Sequence, residues 1–378
     1  MTAAWGFAAS AAFLLWVMAG HPLWLAWRAR RARPVRKHFE PRAVSVVIPV
    51  RNGAHYIRRK LESVLDLDYP RELLEVLVVS DGSTDGTDDV VRKFSPAGVV
   101  LLRIPASGKP AALSAAFERV RGEILLLTDV RQSLEPESLR ALVACFADPA
   151  VGAVSGELLL EQGGSAEVGL YWRYESWIRR NLSAVDSMFG ATGPFYALRR
   201  ELAIPIPPKV LLDDMYLPLA AFFRGYRLIV EERARAWDYP TSVEIEFQRK
   251  VRTLAGNYQL LKFYPGLLGP RNRMWLDYVS YKLGRLLLPF ALAALAGFSF
   301  SLPGAWKTLA LAAQAAGYGL ALADPWVPRR SPVKGVSSAA RTFAVMMLAA
   351  LCALAVFVVP PQRLWKVTSA APPDVLEH

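Results

Sequence analysis

No Asp, Glu, Lys or Arg occurs between Ala3 and Trp27, an uncharged stretch longer than the ~20 residues that cross a bilayer as a helix. Arg28, Arg30, Arg31, Arg33, Arg36 and Lys37 follow at once. A cleaved leader carries its positive charge before the apolar run and a small-residue cleavage site after it. Here the charge comes second. Residues 1–27 therefore read as a retained transmembrane anchor and 28–42 as a basic juxtamembrane linker, with the chain beyond them on the cytoplasmic side of the cell (inner) membrane. The alternative, a buried helix of a soluble domain, fits poorly with that basic flank.

The other end is apolar too. Leu286–Leu302, Thr308–Ala323 and Thr342–Pro361 are uncharged runs that make 286–361 a C-terminal region of transmembrane helices. The first two are short for spanning and are separated by Ser301-Leu302-Pro303-Gly304, a turn signal. They read as a tight hairpin, tilted or partly re-entrant, for four spans in all. The linker from Arg329 to Arg341 is basic and is expected in the cytoplasm, which leaves Arg363 and Lys366 facing outward. Residues 256–285 are expected as interfacial helices. Residues 362–378 are a tail whose final Leu376-Glu377-His378 resembles an affinity-tag scar.

The middle, residues 43–255, differs in character. Val44–Val50, Leu74–Ser80, Val99–Ile104 and Glu123–Thr128 are short β-branched or apolar runs. Between them Ala54–Leu65, Thr84–Phe94 and Ala111–Val120 have helical spacing. Such alternation predicts an α/β fold with a mostly parallel, Rossmann-like sheet covered on both faces, in which ligands bind at the C-terminal strand ends. Polar clusters stand there: Arg51-Asn52-Gly53, Ser80 to Asp85, and Thr128-Asp129-Val130-Arg131. With only Cys145 and Cys352, four histidines and no CxxC, neither a disulfide framework nor a zinc site of ordinary spacing is available. The net charge of +12 is accounted for by membrane flanks and a phosphate site; no nucleic-acid module is recognisable.

Val44-Ser-Val-Val-Ile-Pro-Val-Arg-Asn-Gly53, Val78-Val-Ser-Asp-Gly-Ser-Thr-Asp85, Gly108-Lys109-Pro-Ala-Ala-Leu113 and an Asp at the next strand end, in this order, resemble a membrane-bound family 2 glycosyltransferase of GT-A fold. The likeness is to the cellulose, hyaluronan and poly-N-acetylglucosamine synthase group. It implies an inverting enzyme that takes a nucleotide-sugar donor, expected to be a UDP-sugar. The resemblance puts Pro49, Arg51, Asn52 and Asp81 at the base and ribose, and Lys109 at the nucleotide. A P-loop reading of Ser-Gly-Lys fails on spacing. Asp129 stands first in what is Asp-x-Asp in many relatives, a motif for Mg²⁺ or Mn²⁺ on the diphosphate. The third position here is Arg131, so either Asp129 and water hold a loose ion or Arg131 supplies positive charge.

Leu211-Leu212-Asp213-Asp214 resembles the family's paired-acid motif, which makes Asp214 the general base and Asp213 a residue that orients it or a neighbour. A helix cap with an acidic first turn is the competing explanation. Gly190 to Arg200 resembles the stretch before the base, where Thr192 and Gly193 would border the acceptor, a saccharide or a lipid-linked one. The aromatic and charged Tyr171–Trp177 suits sugar stacking, a headgroup position or core packing. Glu246–Thr253 falls where processive relatives carry Gln-x-x-Arg-Trp; here Arg249 and Arg252 remain for the diphosphate, or for anionic lipid. Partners in polysaccharide export or assembly go with this reading. Its rivals are a polyisoprenyl-phosphate sugar synthase and, outside enzymes, a silent nucleotide-binding scaffold. The presence of both Asp213 and Asp214 argues against the second.

Overall fold

The computed structural model describes residues 2–32, 34–160, 166–239, 243–328 and 330–364. Arg33, Arg329, Lys366 and most of the expected tail, with its tag-like end, lie outside them. The chain forms two compact units, one of Ala32–Gly163 with Leu182–Thr241 and one of Met1–Arg31, Gly164–Asn181 and Ser242–Lys366. The expected boundaries at 255 and 285 fall inside continuous helices, Val243–Phe263 and Gly284–Phe300.

The first unit is built on an eight-stranded sheet: β1 Val44–Val50, β2 Leu74–Asp81, β3 Val99–Ile104, β4 Ile124–Thr128, β5 Ser133–Leu134, β6 Val151–Leu160, β7 Phe195–Arg199 and β8 Arg227–Asp238. The strand order is β3-β2-β1-β4-β7-β6-β8-β5. The first four strands are parallel, as expected for helices crossing back over a sheet. Strand β7 enters antiparallel between β4 and β6, and β5 lies antiparallel on β8, so the second half is mixed. The core is apolar from both sides of β1: Val44, Val46, Val47 and Ile48 are fully buried, as are Ile57, Leu61 and Val64 of the helix Ala54–Leu65.

Two local features position the strand ends. Strand β1 pairs with β2 along Val44–Val50 but with β4 only along Val44–Val47. Strands β1 and β4 thus stop pairing before their C-terminal ends, where strand order reverses and α/β sheets bind ligands. Pro49 lies beyond that last β4 pairing, so its missing N–H breaks no bond on that side. The helix expected over Thr84–Phe94 is shorter, Thr87–Arg92. Gly86 turns the chain at φ +89, and the Asp85 carboxylate accepts the amides of Ala54 (2.9 Å) and Thr87 (3.1 Å). Those bonds hold the residues before Thr87 in a turn.

The second unit is helical. Thr2–Ala29, Trp275–Phe300 and Lys334–Phe357 are long and apolar enough to cross a membrane by length and composition. Among the described residues these are the three that meet that description, beside the four spans expected. The run from Leu286 is no short segment, because its helix continues back to Trp275. Gly304–Ala323 is a helix of 20 residues but not one of the three; Lys307 and Gln314 dilute it. The hairpin between these two helices does form, turning at Ser301–Pro303, and Gln314 Nε2 donates to Ser299 Oγ at 2.9 Å. Buried Asp277 accepts from Arg28 (2.9 Å) and meets His21 (3.1 Å), and Trp16 Nε1 donates to Ser280 Oγ. In the segment 164–181, Glu175 accepts from Arg285 at 2.6 Å and from the Tyr281 hydroxyl, and Tyr174 donates to the Met18 carbonyl at 3.2 Å. The side chain of Tyr171 is outside the described set.

Candidate active site

The carboxylates that sequence singled out are brought together in the first unit. Asp81 ends β2, Asp129 follows β4, and Asp213 and Asp214 open the helix Asp213–Phe223. The cap position of that helix belongs to Leu212, and no side chain caps it. The paired acids are therefore not the cap, but they form the acidic first turn that the competing explanation expected.

Lys109 links two of these elements, and the loop before it reaches the third. Its Nζ is 2.8 Å from Asp129 Oδ1 and 3.2 Å from Asp213 Oδ2. Burial works against its charge, but Asp129 and Asp213 outweigh it and hold its pKa above the ordinary lysine value. Gly108 places it there: at φ +91 and ψ 162 it adopts a conformation open essentially to glycine alone. The preceding loop is tied down as well. Asp81 accepts the Ser107 amide at 2.6 Å and the Gly108 amide at 2.9 Å.

The first strand end is knitted to the second. Asn52 has a left-handed φ of 53, its side-chain oxygen accepts the Thr84 amide at 2.9 Å, and its own amide donates to Ser83 Oγ. Arg51 is exposed beside it. Arg131 is turned elsewhere: its Nε donates to Asp238 Oδ1 at 2.7 Å and its Nη2 to the Tyr239 carbonyl at 3.1 Å. The expectation that Arg131 supplies positive charge beside Asp129 is thus corrected, since Asp238 already balances it. Thr192 is buried, its amide donating to Ser155 Oγ at 2.8 Å and its hydroxyl accepting from the same serine at 3.1 Å. It shapes the backbone rather than presenting a hydroxyl. Gly193 lies against Asp214: a Cβ there would stand 2.7 Å from Asp214 Oδ2. Arg249 and Arg252 lie on Val243–Phe263 in the other unit, where Thr253, at the expected Trp position, donates back to the Arg249 carbonyl.

Two residues of the site were not singled out by sequence, although Tyr196 lies within the Gly190–Arg200 stretch. Lys60 is 1% exposed on the inner face of Ala54–Leu65, donating to Thr128 Oγ1 at 2.6 Å and to the Gln132 carbonyl at 2.8 Å. It fastens both sides of the Asp129 turn. Burial lowers its pKa to about 7, with Asp129 pulling the other way. A lysine in the same helical stripe as Ile57, Leu61 and Val64 was the available signal. Tyr196, fully buried on β7, has a hydroxyl with no hydrogen-bond partner, and burial followed by Asp213, Asp214 and Asp129 pushes its pKa well up. It stays a neutral donor among carboxylates.

A divalent metal fits this donor set in part. Asp129 and Asp213 offer hard oxygens, and Asp213 Oδ2 is buried without a hydrogen bond of good geometry. Among the described residues no group of three or more His, Cys, Asp or Glu could cage an ion. Mg²⁺ and Mn²⁺ are commonly held by one or two carboxylates together with substrate phosphates, which is what two carboxylates can support.

Known proteins agree with this architecture. Residues 45–206 match the family described as glycosyl transferase family 2. The probable glycosyltransferase YdaM of Bacillus subtilis (strain 168) is 27% identical over 58% of this chain, which spans only 56% of that relative's length. An N-acetylglucosaminyltransferase of Rhizobium meliloti (strain 1021) is 28% identical, over 71% of this chain and 67% of its own. Among solved structures, the mannosyltransferase PcManGT from Pyrobaculum calidifontis, in complex with GDP-Man and Mn²⁺, superposes with a TM-score of 0.72 at 25% identity, covering 92% of this chain and 97% of that one.

Proposed function

We propose that this chain, a family 2 glycosyltransferase by its residues 45–206, moves a sugar from a nucleoside-diphosphate sugar to a saccharide or lipid-linked hydroxyl with inversion. The observation that carries the reading is the gathering of Asp129, at the end of β4, and Asp213, at a helix start, on Lys109, whose preceding loop is held by Asp81 at the end of β2, with Asp214 against the side-chain-free Gly193.

In this reading Asp81 receives base or ribose, and Pro49, Arg51 and Asn52 border that end. Asp129 and Asp213 face the diphosphate, and Lys109 supplies an ammonium for its oxygens. Mg²⁺ or Mn²⁺ held there would neutralise charge on the departing nucleoside diphosphate. Asp214 takes the proton from the acceptor hydroxyl as that oxygen attacks the anomeric carbon. Gly193 leaves room for the acceptor beside it. Arg249 and Arg252 are assigned to the diphosphate or to anionic lipid. The apolar helices support a membrane protein; the basic flank after Trp27 is the reason for reading the catalytic unit as cytoplasmic, and cell-surface polysaccharide synthesis is the role that goes with this reading.

A UDP-sugar is the expected donor, and the GDP-mannose in the similar mannosyltransferase makes GDP-sugars a necessary second arm. Purified full-length protein offered UDP-, GDP- and TDP-sugars should hydrolyse or transfer from one class and leave the others. Failure to bind or turn over any of them would end the reading.

A further inference from the structure

One three-residue stretch of this chain answers both halves of the donor site. The amides of Ser107 and Gly108 sit on the Asp81 carboxylate, and the next side chain, Lys109, puts its ammonium between Asp129 and Asp213. We infer that Lys109 is a resident stand-in for the divalent cation, holding the place between Asp129 and Asp213 until cation and nucleoside diphosphate arrive together. This rests on the donor site proposed above.

Electrostatics gives the reason. Asp213 is 4% exposed and the Asp129 side chain 35%, so without a cation the buried carboxylate would be left beside a second negative charge. A single ammonium relieves that, at 2.8 and 3.2 Å. A divalent ion arriving alone would have to evict Lys109 with no new partner for it. When the diphosphate is present, its oxygens offer the ammonium another anion, and the exchange becomes favourable. The Asp81 contacts add a second coupling. A base or ribose that takes up Asp81 competes with the Ser107 and Gly108 amides, loosening the loop that aims Lys109. The absence, among the described residues, of a cluster able to cage an ion alone is consistent with an ion that binds only with the nucleotide.

The test is Mn²⁺ binding to the full-length protein in detergent, by calorimetry and by the spin-resonance signal of free Mn²⁺, with and without UDP or GDP. Wild type should bind Mn²⁺ weakly alone and at least tenfold more tightly with its nucleoside diphosphate. Lys109→Met should bind Mn²⁺ alone at least tenfold more tightly than wild type and gain less from the nucleotide. Lys109→Arg, which keeps the charge, should remain weak. Thermal unfolding checks that each variant is folded, and Lys109→Gln replaces the Met variant if that one is not. Mn²⁺ affinity of the charge-removed variant within twofold of wild type, while wild type still binds Mn²⁺ with nucleotide, overturns the inference and leaves the donor site standing. No Mn²⁺ or nucleotide binding by any of the proteins removes the donor site and the inference with it.

Discussion

Gly193→Ala separates the position of the base from its chemistry. The new Cβ would stand 2.7 Å from Asp214 Oδ2 and 3.2 Å from its carboxyl carbon, where ordinary contact begins at 3.4 Å. Gly193 is not among the residues of positive φ, so alanine strains no backbone, and the whole effect falls on the carboxylate. Asp214 is half-buried and can swing away by about 0.7 Å, so the fold should survive with a small loss of thermal stability. Catalysis should not survive as well. A misplacement of ~1 Å can cost ~10²-fold, so a fall in kcat of roughly 10- to 100-fold is expected, or ~1.4–2.7 kcal/mol of barrier. Donor affinity, read by calorimetry, should hardly change. Asp214→Asn keeps the shape and removes the proton acceptor, for a loss of ~10²–10⁴-fold. The double variant decides the matter. If Gly193→Ala acts through Asp214, adding it to Asp214→Asn should cost almost nothing more. Multiplicative losses, or near-normal turnover in either single variant, would place the base elsewhere.

Three further outcomes are expected. EDTA should abolish transfer and Mn²⁺ or Mg²⁺ restore it; full activity in EDTA would mean that basic side chains, Lys109 among them, serve the diphosphate without a metal. Lys60 has a pKa of about 7 when folded against 10.5 ordinarily, so between those values the unfolded chain holds a proton that the folded chain has released, and stability rises with pH across that window. Lys60→Met should flatten that rise in unfolding midpoints compared at pH 7 and 9, and parallel behaviour of the two proteins would show that Lys60 is not the titrating group. Ala97 is exposed on the first unit, and Ala97→Cys in a Cys352→Ala background should react with an impermeant maleimide only after cells are permeabilised. Labelling of intact cells would reverse the proposed orientation.

Elements whose signal is local were legible in the sequence. Val44–Val50, Ala54–Leu65 and Val99–Ile104 form with the expected bounds because each is a short periodic run closed by a turn. What could not be read depends on distant partners. Arg131 looks like a cation beside Asp129, but its partner, Asp238, comes from the last strand of the sheet. Thr192 looks like an acceptor contact until Ser155 of β6 is set beside it. The pairing of β5 with β8 creates the first neighbourhood and that of β7 with β6 the second, and no pattern within either strand announces its partner. Lys60 was hidden differently, since a lysine on a helix reads as solvated until the polar atoms of Thr128 and Gln132 are found beneath it.

The helical unit takes one of its pieces from the middle of the chain. Residues 164–181 interrupt the sheet-bearing unit in sequence, yet Glu175 is satisfied by Arg285 and Tyr281, and Tyr174 by Met18. Trimming both termini to obtain a water-soluble fragment, 32–241, would leave that segment behind with a half-buried carboxylate deprived of its guanidinium and half-buried aromatic rings uncovered. Such a fragment should aggregate until 164–181 is redesigned, with Glu175, Tyr174 and Trp177 as the first positions to change. The same interleaving bears on descent. Had this apolar unit been joined to a soluble chain by gene fusion at its ends, the internal stretch 164–181 would also have had to adapt to it.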